Sequence, residues 1–556
     1  MTAIPKLLTN LAAATALVIL IAVGCTTPAP TATTAPTPPT PVPPTATPAL
    51  APPPPLVMGE ARVITIASPA APPHFDVHQT FSPALHRSGP GLVYSRLLRF
   101  RSEAETHTFA LGIECDLCLS WQQVDPVTYR FQLRRGVHWP DLSPVYGREL
   151  TADDIIYSYQ RQATPGWENA ALLRNLQGFN RLDPYVLEIK TKSPDADFLV
   201  ALADGHSKIV AREVVQEYGD LRNAPPMGTG PWRWQGGAKG VESTLERNLD
   251  YYEEGVPAAD RLHIQIIPEL NARFTALAVG NLDLADVPPS RAATLKEGYP
   301  DLGLLEVNHY GQGTELTINT RVSPLQNVMV RQALFQALNP WRYLEGAKGE
   351  VFSGLGAPLE SKEWLLPEEA LRSYWGAPDK ARDLLRLAGV QPSVTLTVAD
   401  YGDASLALAE RVAQDLQAAS FGVEKRIVNP VEYANLVWSK GQFAVALGPL
   451  APMTTPNDYL LGVLHSKGAA NFTGYHDAEL DRLLEAQATA TDPVGRQALI
   501  REIQRRALDS AVRFMVVTQT SYWAWQPRVT GFHPNLAGYE YFYYSRISVP
   551  RPESGG

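Results

Sequence analysis

From Ala61 onward the apolar residues follow two alternating periods. Tyr129, Phe131 and Leu133 alternate with polar neighbours, the period of two that marks a half-buried strand. Comparable short runs predict strands at residues 62–68, 185–190, 262–267, 315–319, 394–398 and 514–518. Between them the spacing becomes helical. Thr151 and Asp154 form a Thr-x-x-Asp start, and Ala152, Ile155, Ile156 and Tyr159 then share one face. Val330, Ala333, Leu334, Ala337 and Leu338 repeat that pattern. Pro378 opens a helix whose stripe is Ala381, Leu384, Leu385 and Ala388, and Gly389 stops it. Asp492-Pro493 opens another, carrying Leu499, Ile500 and Ile503. Strands alternating with helices predict an α/β architecture. The 556 residues exceed what one core accommodates, so two or more lobes are expected.

The first residues break both patterns. Lys6 precedes an almost wholly apolar run at 7–23, which ends Ala22-Val23-Gly24-Cys25. A short apolar stretch closed by small residues reads as a secretory signal. Cys25 after Gly24 resembles a lipobox, which implies lipidation at Cys25, although leucine is more usual where Ala22 stands. Residues 26–58 are nearly all Pro, Thr and Ala and carry no apolar period. Such a segment reads as an extended tether, with a reach on the order of 100 Å at about 3.1 Å per residue. An uncleaved N-terminal anchor is the alternative to a lipoprotein signal, and either reading places the body outside the cytoplasm.

Charge narrows the function classes. A formal net charge of −9 with scattered basic residues argues against nucleic acid as a partner. Two further cysteines, Cys115 and Cys118, sit at C-x-x-C spacing. Redox motif, half a metal site and local disulfide all fit that spacing. Zinc wants four ligands and no second pair exists; a turn at Asp125-Pro126, not a helix, follows Cys118, so a small structural disulfide is preferred. The chain has no H-E-x-x-H, no G-x-S-x-G and no Walker loop, and Gly228-Thr229-Gly230 lacks the third glycine of a dinucleotide fingerprint. His74, His78 and His86 read as solvated residues of a polar loop rather than metal ligands. No acid, base or nucleophile set assembles, no cofactor is called for, and an enzyme is not the expected reading. Aromatic residues cluster at Trp232 and Trp234 and at Tyr522, Trp523 and Trp525, which suits either a ligand cleft or core packing.

A series of motifs then lines up in order. Gly91 to Leu98 (GLVYSRLL) resembles "vyegLl", Thr128 to Val137 (TYRFQLRRGV) resembles "tytFtLRdGv", and Leu150 to Tyr157 (LTADDIIY) resembles "ltAeDVvy". Gly228 to Trp232 is similar to "GTGPy", Glu246 to Tyr252 to "ernpdYw", and Ala276 to Asp283 to "ALqsGeiD". Leu316 to Asn319, Val330 to Leu334, Pro378 to Val390 and Asn471 to Leu484 continue the series. Together they resemble the family 5 extracellular solute-binding proteins, the peptide- and nickel-type binding components of ABC importers. The loop at 138–148 is longer than the family's usual link.

That resemblance implies a two-lobe periplasmic-binding-protein-like fold of type II, in its large form, with a hinge and an interlobe ligand cleft. It implies a first lobe at 59–312 with a subdomain at about 96–222, a second lobe at 313–518, and a return to the first lobe at 519–556. It also implies a monomer that captures a small solute, an oligopeptide or peptide-like ligand, by cleft closure and hands it to ABC permease subunits; the alternative is a membrane-tethered ligand sensor, or a binder of a non-peptide solute, on the same fold. Phe81, Tyr310, Met453, Tyr459 and Trp523 are the expected ligand contacts. One departure qualifies the ligand: Pro452 stands where peptide-binding relatives carry the aspartate that neutralises the peptide amine, and a buried ammonium without a carboxylate is costly.

Overall fold

The computed structural model describes residues 61–551, apart from 105, 107, 109, 293, 344–353, 355, 358, 360, 361, 451, 452 and 454. The signal segment, Cys25, the tether and Pro452 therefore lie outside the described residues. The strands, in chain order, are β1 (Val63–Ser68), β2 (Leu98–Phe100), β3 (Ile113–Cys115), β4 (Cys118–Asp125), β5 (Thr128–Leu133), β6 (Leu176–Asp183), β7 (Val186–Thr191), β8 (Trp232–Gly236), β9 (Glu242–Arg247), β10 (Arg261–Ile266), β11 (Leu284–Val287), β12 (Gly303–Ile318), β13 (Ser393–Ala399), β14 (Gly422–Val428), β15 (Val445–Pro449) and β16 (Arg513–Trp525). Ten of them form one sheet in the order β14-β13-β15-β12-β16-β11-β1-β10-β9-β8. A four-stranded sheet (β4-β5-β7-β6) and the β2-β3 pair stand apart from it.

The alternating patterns fold as their periods require. β5 buries Tyr129, Phe131 and Leu133, with Arg130 and Gln132 half exposed. The helix Ala152–Gln162 starts with the Asp154 carboxylate accepting the Thr151 amide at 2.9 Å. The helix Pro378–Ala388 ends in the left-handed conformation at Gly389 (φ 68°), which only glycine adopts without strain. β4 and β6 escape the apolar pattern because most of their residues are exposed. Cys115 and Cys118 are joined by a disulfide between the end of β3 and the start of β4, with Cα atoms 5.0 Å apart.

Two large cores result. The first runs from Ile64 to Val307 and is completed by Val529 to Val549; the second lies between Leu316 and Val516. β12 and β16 serve both cores. Val307 packs in the first while Leu316 and Ile318 pack in the second, and Phe514 and Val516 lie in the second while Trp523 and Trp525 pack against the first. The strand expected at 514–518 thus continues through the aromatic cluster to Trp525, because its partners change lobe along its length.

The C-terminal return is fixed by a fully buried ion pair. Arg96 Nη2 lies 2.8 Å from both carboxylate oxygens of Glu540, and Arg96 Nη1 donates to the Ala203 carbonyl at 2.8 Å. The Glu540 carboxylate also accepts the backbone N–H groups of Phe100, Tyr541 and Phe542.

The Gly228-Thr229-Gly230 motif has a steric cause. A Cβ at Gly228 would stand 2.1 Å from the Val93 carbonyl oxygen, and one at Gly230 would stand 2.8 Å from it. The Gly230 amide donates to that same oxygen at 2.9 Å. Gly228→Ala is therefore expected to cost about 1–3 kcal/mol, since backbone must move to admit the methyl. A urea midpoint equal to wild type would show that the loop yields freely.

Candidate functional site

β12 and β16 pair antiparallel from Gly303–Trp525 to Thr317–Arg513, and the register shifts twice. The first shift falls between His309 and Gly313, opposite Gln519 and Thr518; the second falls between Thr314 and Glu315. Bulges loosen a ladder locally and sharpen its twist, so the joint between the two cores is built into the central strands themselves.

Beside this joint, β13 runs parallel to both β14 and β15. Their carboxyl ends, at Ala399, Val428 and Pro449, therefore come to one edge. Crevices at the carboxyl ends of parallel strands are the usual ligand position in α/β sheets. Here that edge holds a cavity of about 360 Å³ lined by Thr314, Val398, Tyr401, Ser405, Leu447 and Thr518 among others. Its size falls in the range that holds a small ligand. Tyr401 is 58% exposed, an aromatic face turned to solvent. The Thr518 hydroxyl is buried and makes no hydrogen bond, a state uncommon for a buried polar group in a folded protein.

Beneath the hinge strands lies a second buried ion pair. Arg513 Nη1 and Glu315 Oε2 are 3.5 Å apart, and both side chains are nearly inaccessible. The Tyr459 hydroxyl donates to Glu315 Oε1 at 2.8 Å and the Thr317 hydroxyl to Oε2 at 3.0 Å. Burial opposes the charge on Arg513, but Glu315 and the neighbouring tyrosines outweigh it and hold the guanidinium protonated. Burial, then Glu315, pushes the Tyr459 hydroxyl up.

The five expected ligand contacts are dispersed. None of Phe81, Met453, Tyr459 and Trp523 is among the residues lining the hinge cavity. Tyr459 is fully buried. Tyr310 lies on β12 inside the first register shift. Trp523 pairs with Asp286 and Leu305 on the first-core side of the joint, and its ring lies 6.2 Å from that of Phe532. Met453 is half-buried against the cluster that contains Tyr459. The Phe81 ring meets His206 edge-on at 4.5 Å. Tyr401, Ser405 and Thr518 lacked a motif of their own, but the ends of the predicted strands at 394–398 and 514–518 point to them.

The histidines depart from the sequence reading. His78 and His86 are fully buried rather than solvated, because the segment after β1 packs into the first core. His78 Nε2 bonds the Lys208 carbonyl at 2.9 Å, and burial lowers this imidazole to about 4. His206 Nδ1 lies 2.5 Å from the Asp204 carboxylate, which burial pushes up to about 8. Among the described residues no group of three or more His, Cys, Asp or Glu could hold a metal ion.

Comparison with known proteins gives this two-core, hinged arrangement its family. The model of the bacterial extracellular solute-binding proteins, family 5 (middle region), matches residues 112–472. The chain belongs to family 5 of these solute-binding proteins. Heme-binding protein A of Haemophilus influenzae is 26% identical over 519 residues, covering 83% of this chain and 89% of the relative. Di/tripeptide-binding protein 2 of Pseudomonas aeruginosa is 26% identical over 483 residues, covering 81% and 88%. Among solved structures, HbpA2 from Haemophilus parasuis superposes with a TM-score of 0.73 at 22% identity, covering 88% of this chain and 99% of that one. AppA from Bacillus subtilis, solved with a nonapeptide, gives 0.66 at 20% identity with the same coverage. These structural likenesses carry the fold, the α/β type II arrangement that the ordered motifs imply. As a family 5 solute-binding protein the chain is the extracytoplasmic substrate-binding component of an ABC importer. Among its described residues no helix is long and apolar enough to cross a membrane.

Proposed function

We propose that the solute is a short oligopeptide or peptide-like compound, seated between the lobes with one part in the cavity beside Thr518. The observation that carries this reading is that cavity, at the carboxyl ends of β13–β15 and directly against the register shift. The cavity is lined by residues of 313–518 beside the joint, so a ligand seated there that also reaches the first lobe favours the closed state over the open one. Relatives named as di/tripeptide-binding, and AppA solved with a nonapeptide, support a peptide class. With Pro452 in place of the amine-binding aspartate, the peptide is gripped through its backbone and side chains more than through a free ammonium. Phe81, Tyr310, Met453 and Trp523 serve as outer contacts, and Tyr459 acts through Glu315.

On this reading the lobes are 59–312 with 519–556, and 313–518, bending near Gly313 and Gln519. The monomer is anchored by lipid on Cys25, and the tether at 26–58 lets the closed form reach the permease. The protein has no catalytic role.

Native mass spectrometry of Met58–Gly556 purified from its host, followed by denaturation, tests the ligand class. A ladder of short-peptide masses is expected, and a single non-peptide mass overturns the proposal. Tyr401→Ala tests the place. Its side chain is largely exposed, so the fold is expected to hold while peptide affinity falls about tenfold, near 1.4 kcal/mol. Unchanged affinity would move the site away from this cavity.

A further inference from the structure

The two lobes touch a second time, far from the hinge in sequence, through a buried polar patch. On the first-lobe side stand Asp195, Ala196 and Asp197, which lead into the helix Phe198–Ala203 of the first core. On the second-lobe side stand Asn457, Ala488 and Arg496. The Asn457 amide donates to Asp197 Oδ2 at 2.7 Å, and its side-chain N–H donates to Asp195 Oδ1 at 3.2 Å. Arg496 Nη1 and Asp197 Oδ1 form an ion pair at 2.6 Å. The Ala196 amide donates to the Ala488 carbonyl at 2.8 Å. At the rim, Arg174 pairs with Asp458.

This patch is built rather than incidental. Asp197, Asn457 and Arg496 are 3%, 2% and 7% exposed. Gln487, fully buried on the second-lobe side, donates to Asn457 Oδ1 at 2.8 Å and so fixes the side chain that faces Asp195. Charge-assisted hydrogen bonds out of water are among the stronger polar contacts, and main-chain donors cannot rotate away. Every partner is a protein group, so the contact needs no solute to complete it. A hinge motion that parts the two sides would have to break these contacts.

We infer that this patch is a latch that holds the lobes closed independently of any solute. The ligand-free protein then populates the closed form, and the latch raises apparent affinity for every ligand alike. Apparent Kd varies inversely with the closed fraction, so a fall in that fraction from about 90% to about 10% weakens binding about tenfold. The inference concerns the empty protein and stands whether or not the solute is a peptide.

The test uses Met58–Gly556, which is a compact unit on its own and contains every contact described above. Spin labels go on Leu182→Cys and Leu387→Cys, one per lobe, at positions 50% and 73% exposed. The two native cysteines of this unit are joined and take no label. Bound solute is removed by unfolding and refolding, and its absence is checked by native mass spectrometry. The label distance by double electron–electron resonance is expected to be mainly short in the stripped protein. Arg496→Met should move at least half of the population to a longer distance. Arg174→Ala, at an exposed rim position that leaves the fold intact, should move a smaller share. A stripped protein found wholly at the long distance overturns the latch. Variants whose distributions superimpose on the parent overturn it equally, and Arg174→Ala decides the matter if Arg496→Met does not fold.

Discussion

A Glu540→Ala variant is expected to lose about 5 kcal/mol of stability, at the upper end of what breaking a buried ion pair costs. Arg96 would be left fully buried with its charge uncompensated, and the amides of Phe100, Tyr541 and Phe542 would lose their acceptor. Arg96→Met is expected to cost less, about 3 kcal/mol. Arg96 does most to hold Glu540 below the ordinary carboxylate range against burial, with the Phe542 and Tyr541 amides adding to it. The carboxylate left behind in Arg96→Met still keeps its three backbone donors. The asymmetry is what identifies the mechanism. Chemical denaturation should give a lower midpoint at unchanged slope for both variants, with the larger drop for Glu540→Ala. Equal losses, or losses under about 1 kcal/mol, would refute this account of how the C-terminal return is held.

Glu315→Ala should be comparably severe, about 3–5 kcal/mol, and should also disturb binding. Glu315 lies on β12, one residue beyond the second register shift, and pairs with Arg513 on β16. Its removal strands a buried guanidinium between the two hinge strands and leaves the Tyr459 and Thr317 hydroxyls without their acceptor. Tyr459→Phe, which removes one hydrogen bond from the same network, should cost about 1–2 kcal/mol. If Glu315→Ala unfolds at the wild-type midpoint, the charge on Arg513 is satisfied elsewhere. If it is destabilised but binds solute normally, the network supports the fold without tuning the joint.

The fold was legible wherever local pattern and tertiary partner agree. The alternation at 129–133 and the stripe at 378–389 each depend on one buried face, and both fold as read. β4 and β6 left no trace because an exposed strand has no apolar period to show. Tyr522, Trp523 and Trp525 looked like a cluster after a strand, yet they are the strand, now paired with β11 and the other half of β12. His78 and His86 are buried where the sequence suggests solvation, because a Pro- and polar-rich segment reads as surface unless the core that covers it is known. For the candidate site, sequence marked strand ends but not what meets across them. The latch was invisible for the same reason: Asp197 and Arg496 come from separate helix starts, and nothing near either one announces the other.

The first lobe begins at β1 but is not finished until the last described residues have emerged. Arg96 waits 444 residues for Glu540, and Val529 to Val549 complete the core that Ile64 begins. Domains commonly fold in the order they are made, but the core of this lobe takes in residues from both ends of the body. The second lobe, by contrast, is a continuous stretch between the two crossings and can condense first. A chain threaded through a membrane from its N-terminus would therefore stay loose in front of the translocation channel, and acquire its first lobe only upon release. Where one glutamate lies thus sets when the first lobe can be completed.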